Sequence, residues 1–321
     1  MIKVLIIGCG NIGALYDIQT SEVNTHLKAY YNQKYQIFIY DNNIKILEKI
    51  KSIYKDIEVL FTLSDLEKYN FDCVSICTPT DTHINFLKLL INKNIPVILC
   101  EKPIAYSIPE IEQIENLYLK SNTKILVNYI RRFQDSYIFL RNFIKNNCIN
   151  DNLATINIKY YKGFLNNCSH AFDLISFLLN KEINISNTNI LNIYNVYYDY
   201  FENDPTISLN LKIDNTIINV IGLTNINYNI FEIEFFFKNI LIQILNSGKT
   251  IKILERDINL NKNYPEKTCI NDYMVNVIKY IDNLIKYPHI QDNFIESTNI
   301  NKFMIKILEK MNYEKSFKKY F

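Results

Sequence analysis

The chain has no tryptophan, only six glycines in 321 residues and no excess of charge of either sign. Thirty-five basic against thirty-three acidic residues leave a net charge of +2, too weak a field to hold nucleic acid or an anionic membrane surface. No apolar run approaches the roughly 20 residues of a membrane span. The chain opens on a strand-like run rather than a cationic leader with an apolar core, and so reads as cytoplasmic. Its seven cysteines form no Cys-x-x-Cys pair and no Cys/His group with zinc spacing, so neither a metal site nor a disulfide framework is expected. Cys9, Cys73, Cys77, Cys100, Cys148, Cys168 and Cys269 read mostly as reduced, small core residues. What remains is a 48% hydrophobic chain, long enough for two domains with a core each.

The scarcity of glycine makes its placement informative. Three of the six lie in Gly8-Cys9-Gly10-Asn11-Ile12-Gly13, directly after the apolar run Val4-Leu5-Ile6-Ile7. A buried strand turning tightly into a helix, here expected over Asn11 to Asp17, leaves N–H groups at the helix start that can hold a pyrophosphate without any side chain. The chain therefore opens with a dinucleotide site formed by Gly8, Gly10, Asn11, Ile12 and Gly13. Asp41 follows the second strand, Ile37 to Tyr40, where a carboxylate can accept hydrogen bonds from the adenosine ribose hydroxyls. That favours NAD, with Lys45 near enough to leave NADP open. Asp41 lies 28 residues past Gly13 (41 − 13) because an extra stretch near Gln19 to Asn24 interrupts the first crossover. A helix-capping Asp41 is the alternative reading.

Short apolar runs at 2–7, 37–40, 58–61, 72–77, 96–100 and 124–128 alternate with helical stretches, the pattern of successive βαβ units. Residues 1–125 read as a doubly wound parallel sheet of Rossmann type. From about residue 153 the runs alternate polar with apolar, as in Thr155 to Tyr160, Ser208 to Ile213 and Phe231 to Phe235. Residues 126–321 are therefore expected to form an α+β domain with an open, mostly antiparallel sheet. Helices are expected near 169–179, 270–286 and 298–312, and a hairpin turn at Asn246-Ser247-Gly248-Lys249. The Asn-rich stretch 184–195 reads as a compositional bias rather than a linker.

Four further segments can carry chemistry. Thr78-Pro79-Thr80-Asp81-Thr82-His83 comes at the carboxyl end of the fourth strand, where ligands bind in open α/β sheets. His83 there is either a ligand contact or a helix-start residue. Glu101-Lys102-Pro103 ends the fifth strand in the same layer, so the Lys102 ammonium can hold or protonate a substrate oxygen; solvated surface is the alternative. Asn128-Tyr129-Ile130-Arg131-Arg132-Phe133 follows the sixth strand, and the guanidinium forks suit a carboxylate, a phosphate or an ion pair tying the domains together. Last, Tyr161-Lys162-Gly163-Phe164-Leu165-Asn166-Asn167-Cys168-Ser169-His170-Ala171-Phe172-Asp173 joins a strand to a helix. His170 and Asp173 share a face there, with Ser169 or Asn167 as cap. That imidazole can take a hydroxyl proton as a carbon gives up hydride, or both residues are merely structural.

Together, Gly8-x-Gly10-x-x-Gly13, Thr78-Pro79-x-x-x-His83, Glu101-Lys102-Pro103 and Asn128 to Phe133 resemble the glucose-fructose oxidoreductase/inositol dehydrogenase/rhizopine catabolism (Gfo/Idh/MocA) family. The resemblance implies a NAD(P)-dependent oxidoreductase acting on sugars, cyclitols or nucleotide-linked sugars, with Lys102 as the catalytic lysine. The family's second element commonly reads Asp-x-x-x-His-x-x-Asp. Here Asn166-x-x-x-His170-x-x-Asp173 keeps the acid/base histidine and replaces the first carboxylate by an amide. The words around Asn128 and Lys162 resemble a subgroup associated with bacterial surface-polysaccharide biosynthesis. Asn128, Arg131, Arg132, Tyr161, Lys162, Asn166 and Asp173 are then the candidate substrate contacts, Thr78, Pro79, His83 and Glu101 border the cofactor, and the cleft between the domains would hold the sugar. A NAD-dependent glycosidase and a non-catalytic regulatory protein are the alternatives. The Tyr- and Phe-rich second sheet predicts a homodimer or homotetramer.

Overall fold

The structure is a computed structural model that describes residues 1–148, 152–198, 200–257, 260–263, 267–268, 270 and 272–318. The chain divides into two compact units, residues 1–133 with 271–298, and 134–270 with 299–321.

In the first unit strands and helices alternate. They are β1 (Lys3–Ile7), α1 (His26–Asn32), β2 (Gln36–Tyr40), α2 (Ile44–Ile53), β3 (Glu58–Val59), β4 (Cys73–Ile76), α3 (Thr80–Asn92), β5 (Val97–Cys100), α4 (Ile108–Tyr118) and β6 (Lys124–Val127). The six strands form one parallel sheet in the order β3-β2-β1-β4-β5-β6. Val4 to Ile7 of β1 are apolar with no exposure, and β4 is buried throughout, its one polar residue Ser75 held 2.8 Å from the Tyr30 hydroxyl. The register pairs Ile7 with Tyr40 and Ile76, Ile76 with Cys100, and Cys100 with Val127. Gly8, Asp41, Cys77, Glu101 and Asn128 therefore stand in one layer just past the carboxyl ends of the strands. The sheet order reverses between β1 and β4, the switch point at which this class of sheet binds ligands.

The second unit contains α5 (Asp135–Asn147), β7 (Leu153–Tyr160), α6 (Ser169–Leu179), β8 (Thr188–Tyr197), β9 (Thr206–Ile213), β10 (Thr216–Gly222), β11 (Phe231–Phe237), β12 (Ile240–Leu245), β13 (Thr250–Asp257), β14 (Leu260–Asn263) and β15 (Lys267–Thr268). Among the described residues these strands make a nine-stranded sheet ordered β14-β13-β12-β11-β7-β10-β9-β8, with β15 on β13. Only β7 and β10 pair in parallel. Every second residue of β11 is buried, the period-two pattern of a sheet with one covered face. Asn246, Ser247 and Gly248 take positive φ in the hairpin turn between β12 and β13.

Two helices close the chain, α7 (Tyr273–Lys286) and α8 (Phe294–Lys318). The apolar face of α7, Met274, Val277, Ile278, Ile281 and Leu284, joins the core that holds Ala14, Leu27 and Tyr30. Phe133 packs on Tyr280 of the same helix, centroids 5.1 Å apart. The first unit thus runs to residue 133 and takes back residues 271–298, where the sequence reading placed one boundary at 125. Between them, Asp292 and Asn293 close the sheet's open edge. Asp292 Oδ2 accepts the Ile125 N–H at 2.9 Å, Asn293 Oδ1 accepts the Val127 N–H at 2.8 Å, and Asn293 Nδ2 donates to the Val127 carbonyl at 3.0 Å.

Candidate active site

The glycine loop is built as a close-packed turn with one open side. Gly8 has φ +90°, and a Cβ there would come within 2.8 Å of the Cys77 carbonyl carbon and the Thr78 nitrogen. At Gly13 a Cβ would be driven into the Gly8 carbonyl oxygen. At Gly10 it would meet nothing within 4 Å. Two glycines thus let strand and turn touch, and the third leaves backbone open to an approaching ligand, which fits a pyrophosphate. Asn11–Leu15, holding Ile12, forms a single π-helical turn instead of the helix expected to start over Asn11 to Asp17. The buried Asp17 carboxylate bends the chain away: it accepts the Asn24 N–H at 2.6 Å and the Thr25 N–H and hydroxyl, both at 2.8 Å. The crossover helix proper, α1, begins at His26 with Thr25 as its cap. Asp41 is tied to the glycine loop, Oδ2 accepting the Cys9 N–H at 2.7 Å, and its Oδ1 accepts the Asn43 N–H at 2.8 Å. It therefore lies against the glycine loop just before α2, which Asn43 caps.

Past β4, Pro79 starts α3 and the Thr82 hydroxyl donates to Thr78 Oγ1 at 2.6 Å. His83 is buried, with Nε2 2.8 Å from the Thr78 carbonyl and Nδ1 3.0 Å from the Pro103 carbonyl. Burial holds this imidazole below its usual value, against the pull of both carbonyls, so it serves as a tie between two strand ends. Lys102, half-buried, precedes a cis peptide to Pro103. Glu101 gathers two polar contacts on one oxygen: its Oε1 lies 2.9 Å from His26 Nε2 and accepts from Asn128 Nδ2 at 2.6 Å. Burial pushes the Glu101 carboxyl up, but His26, Asn128 and Lys102 more than offset it and hold it below its usual value. Asn128 faces Glu101 and the Met274 sulfur. Arg131 and Arg132 are both buried, and Arg132 pairs with Glu296 at 3.0 Å, a pair that lies wholly within the first unit.

In the second unit, His170 and Asp173 both lie in the first turns of α6, His170 half-buried and Asp173 buried. Neither Ser169 nor Asn167 caps that helix as expected, because Phe164–Cys168 already forms a π-helical turn running into it. The cap comes from far along the chain. Asp204 accepts the Leu165 N–H at 2.7 Å and the Asn166 N–H at 2.8 Å, and Gly163, at φ +82°, leaves room for that carboxylate. The Asn166 amide itself donates to the Lys162 carbonyl at 3.3 Å. The Lys162 ammonium stands 4.7 Å over the Tyr161 ring and 5.5 Å over that of Tyr200.

Residues 2–129 match the family described as an oxidoreductase family with an NAD-binding Rossmann fold, GFO_IDH_MocA. Over that stretch the first domain is similar to the Gfo/Idh/MocA oxidoreductases. Inositol 2-dehydrogenase of Rhizobium meliloti is 29% identical over 126 residues, 35% of this chain and 38% of that enzyme. The redox-sensing transcriptional repressor Rex of Clostridium botulinum is 30% identical over 133 residues, 40% of this chain and 59% of the repressor. The match thus spans less than two fifths of the inositol dehydrogenase. Over the whole length the fold is that of a dehydrogenase (MviM) from Clostridium difficile, TM-score 0.71 and 21% identity, covering 96% of this chain and 99% of the other.

Two polar residues were not singled out from the sequence. His26 carried one local signal, a Thr-capped helix start, and its partner Glu101 lies 75 residues on. Asp204 carried none. Cys9, Cys73, Cys100, Cys148 and Cys168 are buried and in no disulfide, as expected of core residues, Cys77 is half-buried, and Cys269 lies outside the described residues. Among the described residues no group of three or more His, Cys, Asp or Glu side chains could hold a metal, and no helix is long and apolar enough to cross a membrane.

Proposed function

We propose that the protein is a NAD(P)-dependent dehydrogenase or reductase acting on a ring carbon of a sugar, cyclitol or nucleotide-linked sugar. The observation that carries the reading is the layer past the strand ends, which sets Glu101 and Lys102 two strands from an open glycine loop with Asp41 fastened to it. Gly10, Asn11 and Ile12 would hold the pyrophosphate by their N–H groups and Asp41 the adenosine ribose, which favours NAD over NADP. When bound, the cofactor supplies or accepts hydride. Lys102 polarises the substrate oxygen with its ammonium, and His170 takes or returns the hydroxyl proton. Arg131, Tyr161 and Lys162 are the groups suited to an anionic or hydroxylated substrate, and surface-polysaccharide biosynthesis is the proposed setting.

Replacement of Lys102 by Met tests the assignment. Turnover should fall by about 10²- to 10⁴-fold with NAD affinity unchanged, measured as NADH formation against a panel of sugars and nucleotide sugars; retained turnover would refute it. The likeness of the first domain to a redox-sensing repressor supports a second reading, an NAD-responsive regulator. Tight NAD(H) binding with no turnover on any panel member would favour it. We also propose self-association through the second sheet, whose β10 exposes Ile217 (43%) and Ile221 (40%). A monomer by light scattering would exclude that.

A further inference from the structure

His26 has no exposed surface, yet it is not a core residue like its neighbours Leu27, Ala29 and Tyr30. Its Nε2 faces Glu101 Oε1 at 2.9 Å, and an ionised carboxylate only accepts hydrogen bonds, so the ring presents a proton at Nε2. Asn128 Nδ2 donates to the same oxygen at 2.6 Å from the end of β6. Two donors from separate elements thus converge on one oxygen of the residue preceding Lys102, a carboxylate whose side chain is 12% exposed. Among the described residues, His26 Nδ1 and Asn128 Oδ1 are buried without a hydrogen-bond partner. A fold that needed only packing here would be better served by apolar side chains, because buried polar atoms left unpaired cost stability.

The chain goes to some length to deliver this imidazole. The stretch 18–24 is closed by the Asp17 carboxylate on Asn24 and Thr25, the Lys28 ammonium donates to the Asp17 carbonyl at 2.9 Å and to that of Thr20, and Thr25 caps α1. From the other side α7 is latched to the same stretch: Asp272 Oδ1 accepts the Val23 N–H at 2.7 Å and the Val23 carbonyl accepts the Met274 N–H at 3.3 Å. The charged and titratable groups that Glu101 meets are His26 from α1, Lys102 next to it, His83 of α3, Cys77 and Cys100 at the ends of β4 and β5, and Tyr273 from α7.

We infer that His26 is a positioning residue for the Lys102 site: it pins the Glu101 carboxylate, and the pinned carboxylate fixes where the neighbouring Lys102 ammonium stands. The inference rests on the catalytic role proposed for Lys102. Without the Nε2–H donor, Asn128 alone holds the Glu101 carboxylate, and the anion beside the ammonium is fixed from one side instead of two.

The test uses full-length protein with His26→Leu, His26→Gln, Glu101→Gln and the His26→Leu/Glu101→Gln double variant. Glutamine can still donate to the carboxylate and leucine cannot. His26→Leu should lower kcat on the order of 10- to 100-fold with KM for NAD unchanged, His26→Gln should stay within about threefold of the parent, and the leucine change should have no further effect once Glu101 is Gln. Equal losses in the Leu and Gln variants, or additive losses in the double variant, would overturn the inference. A second measurement needs neither substrate nor a stable variant. With four histidines in the chain, a long-range 1H–15N spectrum of the parent should show the His26 ring protonated at Nε2 and slow to exchange with solvent, alongside the equally buried His83. A bare Nε2 on His26 refutes the pairing. Retained turnover in Lys102→Met, with that spectrum in place, would refute the catalytic reading and leave the pairing standing.

Discussion

The glycine loop makes opposite demands at two positions six and three residues past the end of β1, and the two can be separated by the same substitution. In Gly13→Ala the new methyl meets the Gly8 carbonyl group, backbone that cannot swing aside. Overpacking of this kind costs about 1–3 kcal/mol, and with backbone as the obstacle the upper end applies. At about 2–4 °C per kcal/mol for a domain of this size, the thermal midpoint should fall by about 6–12 °C. In Gly10→Ala the methyl points into open space, so stability should stay within about 1 kcal/mol of the parent. That same methyl occupies the side from which a pyrophosphate must reach the N–H groups. Losing one or two charge-assisted hydrogen bonds, about 1.5–3 kcal/mol, should weaken NAD binding roughly 10- to 100-fold. Thermal melts monitored by circular dichroism give the first quantity and titration calorimetry with NAD the second. Gly13→Ala melting with the parent would refute the close-approach argument, and Gly10→Ala binding NAD with parental affinity would refute the placement of the pyrophosphate.

Asp204→Ala removes the acceptor for two N–H groups at the start of the His170-bearing segment and should destabilise the protein by about 2–4 kcal/mol in urea, whereas a loss below about 0.5 kcal/mol would show that the carboxylate is not the cap. Burial pushes the Cys73 thiol up to about 12, in spite of its contact with Tyr30, so native protein at pH 8 should leave it unlabelled by iodoacetamide while urea exposes it. Rapid native labelling at Cys73, read by peptide mass mapping, would contradict the packing of β4.

The elements legible in the sequence were those whose burial repeats along the chain. Val4 to Ile7 and Val97 to Cys100 are apolar on both faces because a parallel sheet is covered on both, and Phe231 to Phe237 alternates because its sheet is covered on one. The strand Thr188–Tyr197 left no such trace. It is an edge strand with register shifts, and its Asn189, Asn192 and Asn195 need not alternate with apolar residues. The site was legible where local backbone dictates chemistry, as at Gly8 to Gly13, and illegible where a partner arrives from afar. His26 needs Glu101, and the turn before His170 needs Asp204, 39 residues beyond Leu165. The return of Tyr273–Lys286 to the first core follows the same rule, since an amphipathic face does not name the sheet it will cover.

The side chains of Asp292 and Asn293 that satisfy the outer strand of the first sheet have a consequence for how the chain is made. As it leaves the ribosome, Lys124–Val127 is complete long before its two amide and carboxylate latches exist. At about 5–20 residues per second the delay is on the order of ten seconds or more. Through that interval the nascent sheet presents Ile125 and Val127 with unanswered backbone donors, a template for pairing with a neighbouring chain. The vulnerable species for this protein is therefore a half-synthesised one, and its yield should respond to translation rate and to chaperones more than to anything measured on the finished fold.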